Sequence, residues 1–412
     1  MTPNHSPKPS DRNAFTLVEL LVATAILMLM LGFLLTVTGN VGSTVAESSV
    51  KLDAYATGRL GFDIVANTLS RGTLNTYWTY YNSQGQTRTT STSATVSSTS
   101  STYYQNFVPV TYGRASNLQF VVRTNTNEGI IAGANSGYYG QEVDFSYPAG
   151  YSTTSTILDT QGLLNNCSFF VQYGSDALYK PAMFTTGANA TLYRYRLFQA
   201  IMDTTNFEYF VSGANALGAT PSWITQLDGN AQAYWRPLAD NVIALIVWPQ
   251  DPEDPSANSS YDPAGNPVIS GTELQTNYPK TNSGYTYDSQ FPYGYSGYSS
   301  IWGGGSSMSA SSFPITFCQS PPTVQLTLVL IDDASAKRLC TSAIPPSLIE
   351  NALAGKFVNP TNYRVDLYGG TTTSSPNLTG TYGLINYLSI FDHINCQVLN
   401  TKIVLRESKW SK

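Results

Sequence analysis

The sequence predicts an α+β protein: one long N-terminal helix followed by a β-rich domain with long polar loops. Three observations predict it. No residue from 20 to 46 is charged, and no proline occurs from 15 to 71. Further along, short runs of Val, Ile, Leu, Tyr and Phe recur between Gly, Pro, Asn and Asp.

The helix comes first in the chain. Its uncharged run of about 27 residues is long enough to cross a roughly 30 Å hydrocarbon core. Glu19 stands at the edge of this run, where an unpaired charge is costly, so the acid needs a partner or a task. The helical pattern continues past the run. Leu52, Tyr55, Phe62, Ala66 and Leu69 form one apolar stripe at helical spacing. One helix over 15–71 is therefore expected, its second half backing onto the folded domain. A break, if present, belongs at Gly39-Asn40-Val41-Gly42, where two glycines stand close together. Elsewhere along this helix the glycines allow close approach of a neighbouring helix.

The remaining residues, 72–412, read as a β-rich domain. Strands are expected at 118–123, 168–173, 193–202, 242–248, 324–332 and 396–405. The runs at 242–248 and 324–331 are almost wholly apolar and should be central strands. Helices are expected at 334–339 and 346–354. Asp332-Asp333 should cap the first, and Pro346 and Gly355 bracket the second. The segments 84–103, nearly all Ser and Thr, and 251–312, rich in Tyr, Gly, Ser, Asn and Pro, read as mobile insertions.

Charge narrows the function. Only 11% of residues are charged, against about 25% in an average soluble protein. The net charge is −5, which argues against nucleic acid as a partner. Lys8 and Arg12 precede the apolar run and place its start on the cytoplasmic side. Residues beyond about 47 then lie outside the inner membrane. There the four cysteines, Cys167, Cys318, Cys340 and Cys396, are free to pair or to stay reduced.

Catalytic, cofactor and metal sites are not expected. Of the two histidines, His5 lies in the leader, and His393 has no nucleophile motif to serve. The acids Asp251, Glu253, Asp254 and Asp262 match no calcium-loop spacing and read as a solvated loop.

The stretch Asn13-Ala14-Phe15-Thr16-Leu17-Val18-Glu19-Leu20 resembles the processing site of type IV prepilins and type II secretion pseudopilins. The resemblance implies a leader over 1–14, cut between Ala14 and Phe15 by a prepilin peptidase that also methylates the new amino group. It implies an assembly role for Glu19, a pilin-like fold with the helix packed on an antiparallel or mixed sheet, and single-pass anchoring in the inner membrane. The domain would be periplasmic and reach the cell surface after assembly. Ala14 departs from the usual Gly before the cut. Residues 60–71 loosely resemble the helix of minor pseudopilins of the J type.

Further blocks are similar to the Verru_Chthon cassette protein C family. They are Tyr193-Arg194-Tyr195-Arg196-Leu197-Phe198, Leu238-Ala239-Asp240-Asn241-Val242-Ile243-Ala244-Leu245-Ile246, Pro321-Pro322 and the run after it, and Lys409-Trp410-Ser411. That resemblance implies other pilin-like subunits of the same cassette as partners, and no reaction. The alternative function is a surface adhesin that uses the signal for export and binds through the Tyr-rich loops at 278–313.

Overall fold

The computed structural model describes residues 16–81, 108–124, 141–153, 160, 162–181, 191–207, 222–229, 234–250, 285, 287–289, 318–357, 362–370 and 382–407. Helix α1, Leu17–Leu69, is followed by β1 (Tyr77–Tyr81), β2 (Thr111–Ala115), β3 (Val121–Thr124), β4 (Gln141–Pro148), β5 (Leu164–Ser175) and β6 (Tyr193–Ile201). Then come α2 (Ser222–Gly229), β7 (Trp235–Asp240), β8 (Val242–Gln250), β9 (Tyr287–Asp288) and β10 (Thr323–Ile331). Four short helices, α3 (Asp333–Leu339), α4 (Ser347–Leu353), α5 (Tyr363–Tyr368) and α6 (Leu384–Asp392), precede the last strand, β11 (Cys396–Val404). The chain divides into two compact units, Met1–Asp53 and Ala54–Lys412.

The first unit holds most of α1. The helix passes residues 39–42 without interruption. Two glycines within four residues lower helix propensity, but uninterrupted neighbours on both sides carry the hydrogen-bond ladder across.

The second unit is an α+β domain whose described strand pairs are all antiparallel. A six-stranded sheet has the order β7-β6-β5-β4-β3-β9, a three-stranded sheet β11-β10-β8, and β1 pairs with β2 alone. The core lies between the two larger sheets and joins Val143, Phe145, Phe169 and Leu197 to Val242–Trp248 of β8 and Leu326, Leu328, Val329 and Leu330 of β10. All nine residues of β8 are buried, which is why its sequence is apolar without alternation. Its outer edge is not left bare: the Gln141 side chain accepts the Val247 N–H.

The end of α1 within this unit buries Gly58, Gly61, Phe62, Val65 and Leu69. Phe62 and Leu69 were legible from the stripe, but Ala66 is only half-buried and Val65 is the deeper residue. The two glycines bring the helix backbone onto the sheets. A Cβ at Gly58 would overlap Leu330 of β10, and one at Gly61 would lie 3.1 Å from the Ala239 Cβ of β7. The expectation that such glycines serve helix–helix approach is thus corrected at these two positions: both face β-strands.

All six expected strands are present, but β5 is several residues longer than expected and β3 begins only at Val121, residues 118–120 lying before it. Asp332 caps α3, its carboxylate accepting the Ser335 N–H at 3.2 Å. Gly355, just past α4, has φ +69°. The stretch 84–103 lies outside the described residues. So does most of 251–312, but Tyr285 and Tyr287 are fully buried, and β9 extends the six-stranded sheet at β3. At these residues the expected insertion contributes to the core, because both rings pack on it. Tyr285 meets Trp248, and Tyr287 meets Phe120. All four cysteines are free thiols, three of them buried.

Candidate functional site: the apolar helix and its first turn

Residues Leu17–Gly42 form a helix of 26 residues long and apolar enough to span a membrane. At 1.5 Å per residue it is about 39 Å long, more than the hydrocarbon thickness. Every one of these residues is exposed, on all faces. An isolated helix that is apolar all round is unstable in water and must be covered by lipid or by other helices.

The threonines of this segment fit such surroundings. The hydroxyls of Thr24, Thr36 and Thr38 donate to the carbonyls of Leu21, Gly32 and Leu34 at 3.0, 2.9 and 2.8 Å. Thr44, just beyond, donates to Asn40 at 2.8 Å. Each of these side-chain donors is satisfied inside its own helix.

The helix begins with a reciprocal cap. The Glu19 N–H donates to the Thr16 hydroxyl oxygen at 3.3 Å. The Glu19 carboxylate accepts the Thr16 N–H and the Thr16 hydroxyl, both at 2.9 Å. This is the Ser/Thr-x-x-Glu capping box, in which two otherwise unpaired donors of the first turn are satisfied at once. A negative charge in the first turn also complements the helix dipole. Glu19 therefore has a local task that charge reasoning overlooked, although Thr16-Leu17-Val18-Glu19 carries the signature openly. Because Thr16 is the cap, the helix starts after it. Ala14 and Phe15, the expected processing residues, lie outside the described residues.

The remaining candidates disperse. His393 is exposed and closes α6 in the left-handed region, φ 52°, its N–H donating to the Ser389 carbonyl at 3.2 Å. Asp251, Glu253, Asp254 and Asp262 lie outside the described residues. Among the described residues no three His, Cys, Asp or Glu side chains gather to hold a metal.

Two buried acids escaped sequence reading. Glu142 and Asp144 share one face of β4, and both contact the Ser168 hydroxyl, Glu142 at 3.1 Å. Burial pushes the Asp144 carboxyl up, against the opposing pull of Arg123, Glu142 and Ser168. Arg123 lies 3.9 Å from Asp144. The period-2 alternation of Gln141-Glu142-Val143-Asp144-Phe145 was the signal available for this strand.

Three of the sequence blocks resembling the cassette family, those at 193–198, 238–246 and after Pro322, meet in space, while Lys409-Trp410-Ser411 lies outside the described residues. Arg196 of β6 pairs with Asp240 of β7 at 2.8 Å, in register across the two strands. Asn241, φ 62°, turns the chain from β7 into β8, and its carbonyl accepts the Ile331 N–H of β10 at 3.0 Å.

Residues 9–35 match the family described as the prokaryotic N-terminal methylation motif. No curated protein and no solved structure matches the chain. The chain therefore carries a prepilin-type signal of the type IV pilin and pseudopilin kind, which implies processing by a prepilin peptidase and assembly with other pilin subunits. With its apolar helix, that signal supports inner-membrane anchoring through a single span.

Proposed function

We propose that this protein is a structural, pilin-like subunit of the minor pseudopilin type. Its apolar helix anchors it in the inner membrane until it is drawn into a surface fibre or a secretion pseudopilus. The chain would be cut between Ala14 and Phe15, methylated on Phe15, and assembled with other pilin-like subunits of a Verru_Chthon-type cassette. The domain from about residue 72 would be periplasmic before assembly. The observation that carries the reading is an apolar helix exposed on every face, begun by the Thr16–Glu19 cap inside a matched methylation motif. A domain of about 340 residues is too large to crowd repeatedly around a narrow helical core, which favours a minor, tip-placed subunit.

In a fibre, the Glu19 carboxylate would neutralise the methylated amine of Phe15 in the adjacent subunit, so that neither charge is buried alone. Glu19 would thus serve twice, first as a cap and then as a counter-charge. Two substitutions separate these roles. Glu19→Gln keeps a capping acceptor and removes the charge, whereas Glu19→Ala removes both. Loss of fibre incorporation in both variants, with membrane insertion intact, is the expected result. Full assembly of Glu19→Gln would leave only the capping role. Mass spectrometry of the mature amino terminus tests the wider reading, which expects N-methylated Phe15 as the first residue. An uncut terminus overturns it.

A further inference from the structure

We infer that the six-stranded sheet holds one proton between Glu142 and Asp144 at neutral pH, and that its release in alkali loosens the sheet. The domain thus contains a pH-sensitive element that does not involve the helix. Glu142 and Asp144 stand on one face of β4, and Ser168 lies opposite Asp144 on β5. None of the three is exposed to solvent. Ser168 Oγ is in hydrogen-bond contact with Asp144 Oδ1 and lies 3.1 Å from Glu142 Oε1. Three oxygens therefore follow one another in a row: acid, hydroxyl, acid.

Counting hydrogens along this row gives the proton. A serine hydroxyl has one hydrogen and donates it to one acid. Its contact with the other acid needs a second hydrogen, because a hydroxyl lone pair and a carboxylate repel. An acid proton supplies it: one carboxyl donates to Oγ, and Oγ–H donates to the other carboxylate. Counting charges gives the same answer. Among the described residues, the cation beside the pair is Arg123 of β3, whose Nε is 3.9 Å from Asp144 Oδ2, too far for a hydrogen bond. Two ionised acids beside one arginine leave a net charge buried, and two protonated acids leave the arginine without a counter-charge. One proton balances the group. Among the described residues, no donor hydrogen-bonds to Asp144 Oδ2, whereas a fully ionised buried carboxylate ordinarily accepts on both oxygens.

The other described neighbours do not change this balance. Ala200 of β6 lies opposite Ser168, and the Ser146 hydroxyl further along β4 donates to Asn166 Oδ1 at 2.7 Å. The Cys167 thiol is pushed up by burial and stays neutral. The register sets Asp288 of β9 two strands from Asp144, across Val121. A metal ion is the poorer occupant. Two carboxyls and a hydroxyl are few ligands for it, Arg123 already brings positive charge, and no third His, Cys, Asp or Glu joins them among the described residues. Burial raises the Asp144 carboxyl, the direction expected of a held proton. An acid raised in the fold contributes stability that is complete below its unfolded value of about 3.9 and is lost as pH rises through the folded value. The proton belongs to the pair rather than to either acid.

The test uses the full-length chain in detergent. The domain is unfolded by denaturant at intervals between about pH 5 and 9, and the parent's unfolding constant should rise by up to about tenfold per pH unit over the part of that range where one proton is lost. Asp144→Asn and Glu142→Gln each replace an acid by a neutral group of the same shape that can still hydrogen-bond to Ser168. Either variant should remove that slope. Unfolding at pH 7 should release about one proton more from the parent than from either variant. The infrared spectrum of the folded parent at pH 7 should show the carbonyl band of an un-ionised carboxyl that both variants lack. An equal pH slope in parent and either variant overturns the inference. Should an amide variant fail to fold, the parent alone decides. An acid band at pH 7 that fades together with stability in alkali upholds the shared proton, and the absence of that band overturns it.

Discussion

Between Leu17 and Gly42 helix α1 exposes every residue, whereas between Gly58 and Leu69 it buries five. Both stretches are rich in apolar residues and both contain glycine. What differs is the arrangement. In the second stretch Gly58, Gly61, Phe62, Val65 and Leu69 fall on one face while Arg59, Leu60 and Asp63 are exposed, so folding of the domain covers one side of the helix. In the first stretch no face is polar, and none of these residues is buried. The same helix thus has one part completed by its own domain and another that requires lipid or neighbouring subunits.

A matched pair of charges should break this symmetry most severely. Val65→Asp places an unpaired carboxylate at a position with no solvent exposure, and is expected to cost more than about 4 kcal/mol and abolish the domain's cooperative melt. Leu27→Asp should leave that melt unchanged while weakening membrane retention by about 3 kcal/mol. Comparable melts for the two variants would end the distinction.

Glycine substitutions sharpen it. Gly58→Leu forces a side chain into Leu330 and is expected to destabilise the domain by about 1–3 kcal/mol, read from denaturant midpoints. Gly32 has nothing within 4 Å, and Gly32→Ala should leave the domain alone and favour the helix by up to about 1 kcal/mol.

Acid should weaken the domain. Burial raises the Asp203 carboxyl, but hydrogen bonds from Thr153 and Thr205 outweigh it and hold the group well below the usual carboxylate range. A depressed folded-state value means a contribution present above the unfolded value of about 3.9 and lost as pH falls below it. Asp203→Asn should therefore cost about 1 kcal/mol at neutral pH, and its stability should converge on that of the parent in acid.

The smallest effect is local. Thr16→Ala removes the cap and should lower the helix content of the N-terminal segment, at a cost of about 0.5–1 kcal/mol, without touching the domain melt.

Particular residues explain what was legible. Strands β8 and β10 announce themselves because burial on both faces leaves nearly unbroken apolar runs. Strand β4 hid because its outward residues, Glu142 and Asp144, are buried acids, which sequence reading assigns to the surface. Strand β7 hid behind Pro237, which is tolerated because β7 lies at the edge of its sheet. Strand β1, Tyr77–Tyr81, is aromatic but mostly exposed, so no buried alternation marked it. At the functional helix the long apolar run was plain. The Thr16–Glu19 cap was equally present in the sequence, but a charge beside a membrane draws attention to distant partners before near ones.

The threonines of α1 have one more consequence. Their hydroxyls are already matched to carbonyls one turn back, so moving the helix from lipid to a bundle of neighbouring helices exchanges no side-chain hydrogen bond at these positions. The two environments then differ for these residues mainly in van der Waals contact. A segment of that kind can be withdrawn from a bilayer and returned to it with little polar rearrangement, which suits a part that must be stored in one medium and used in another.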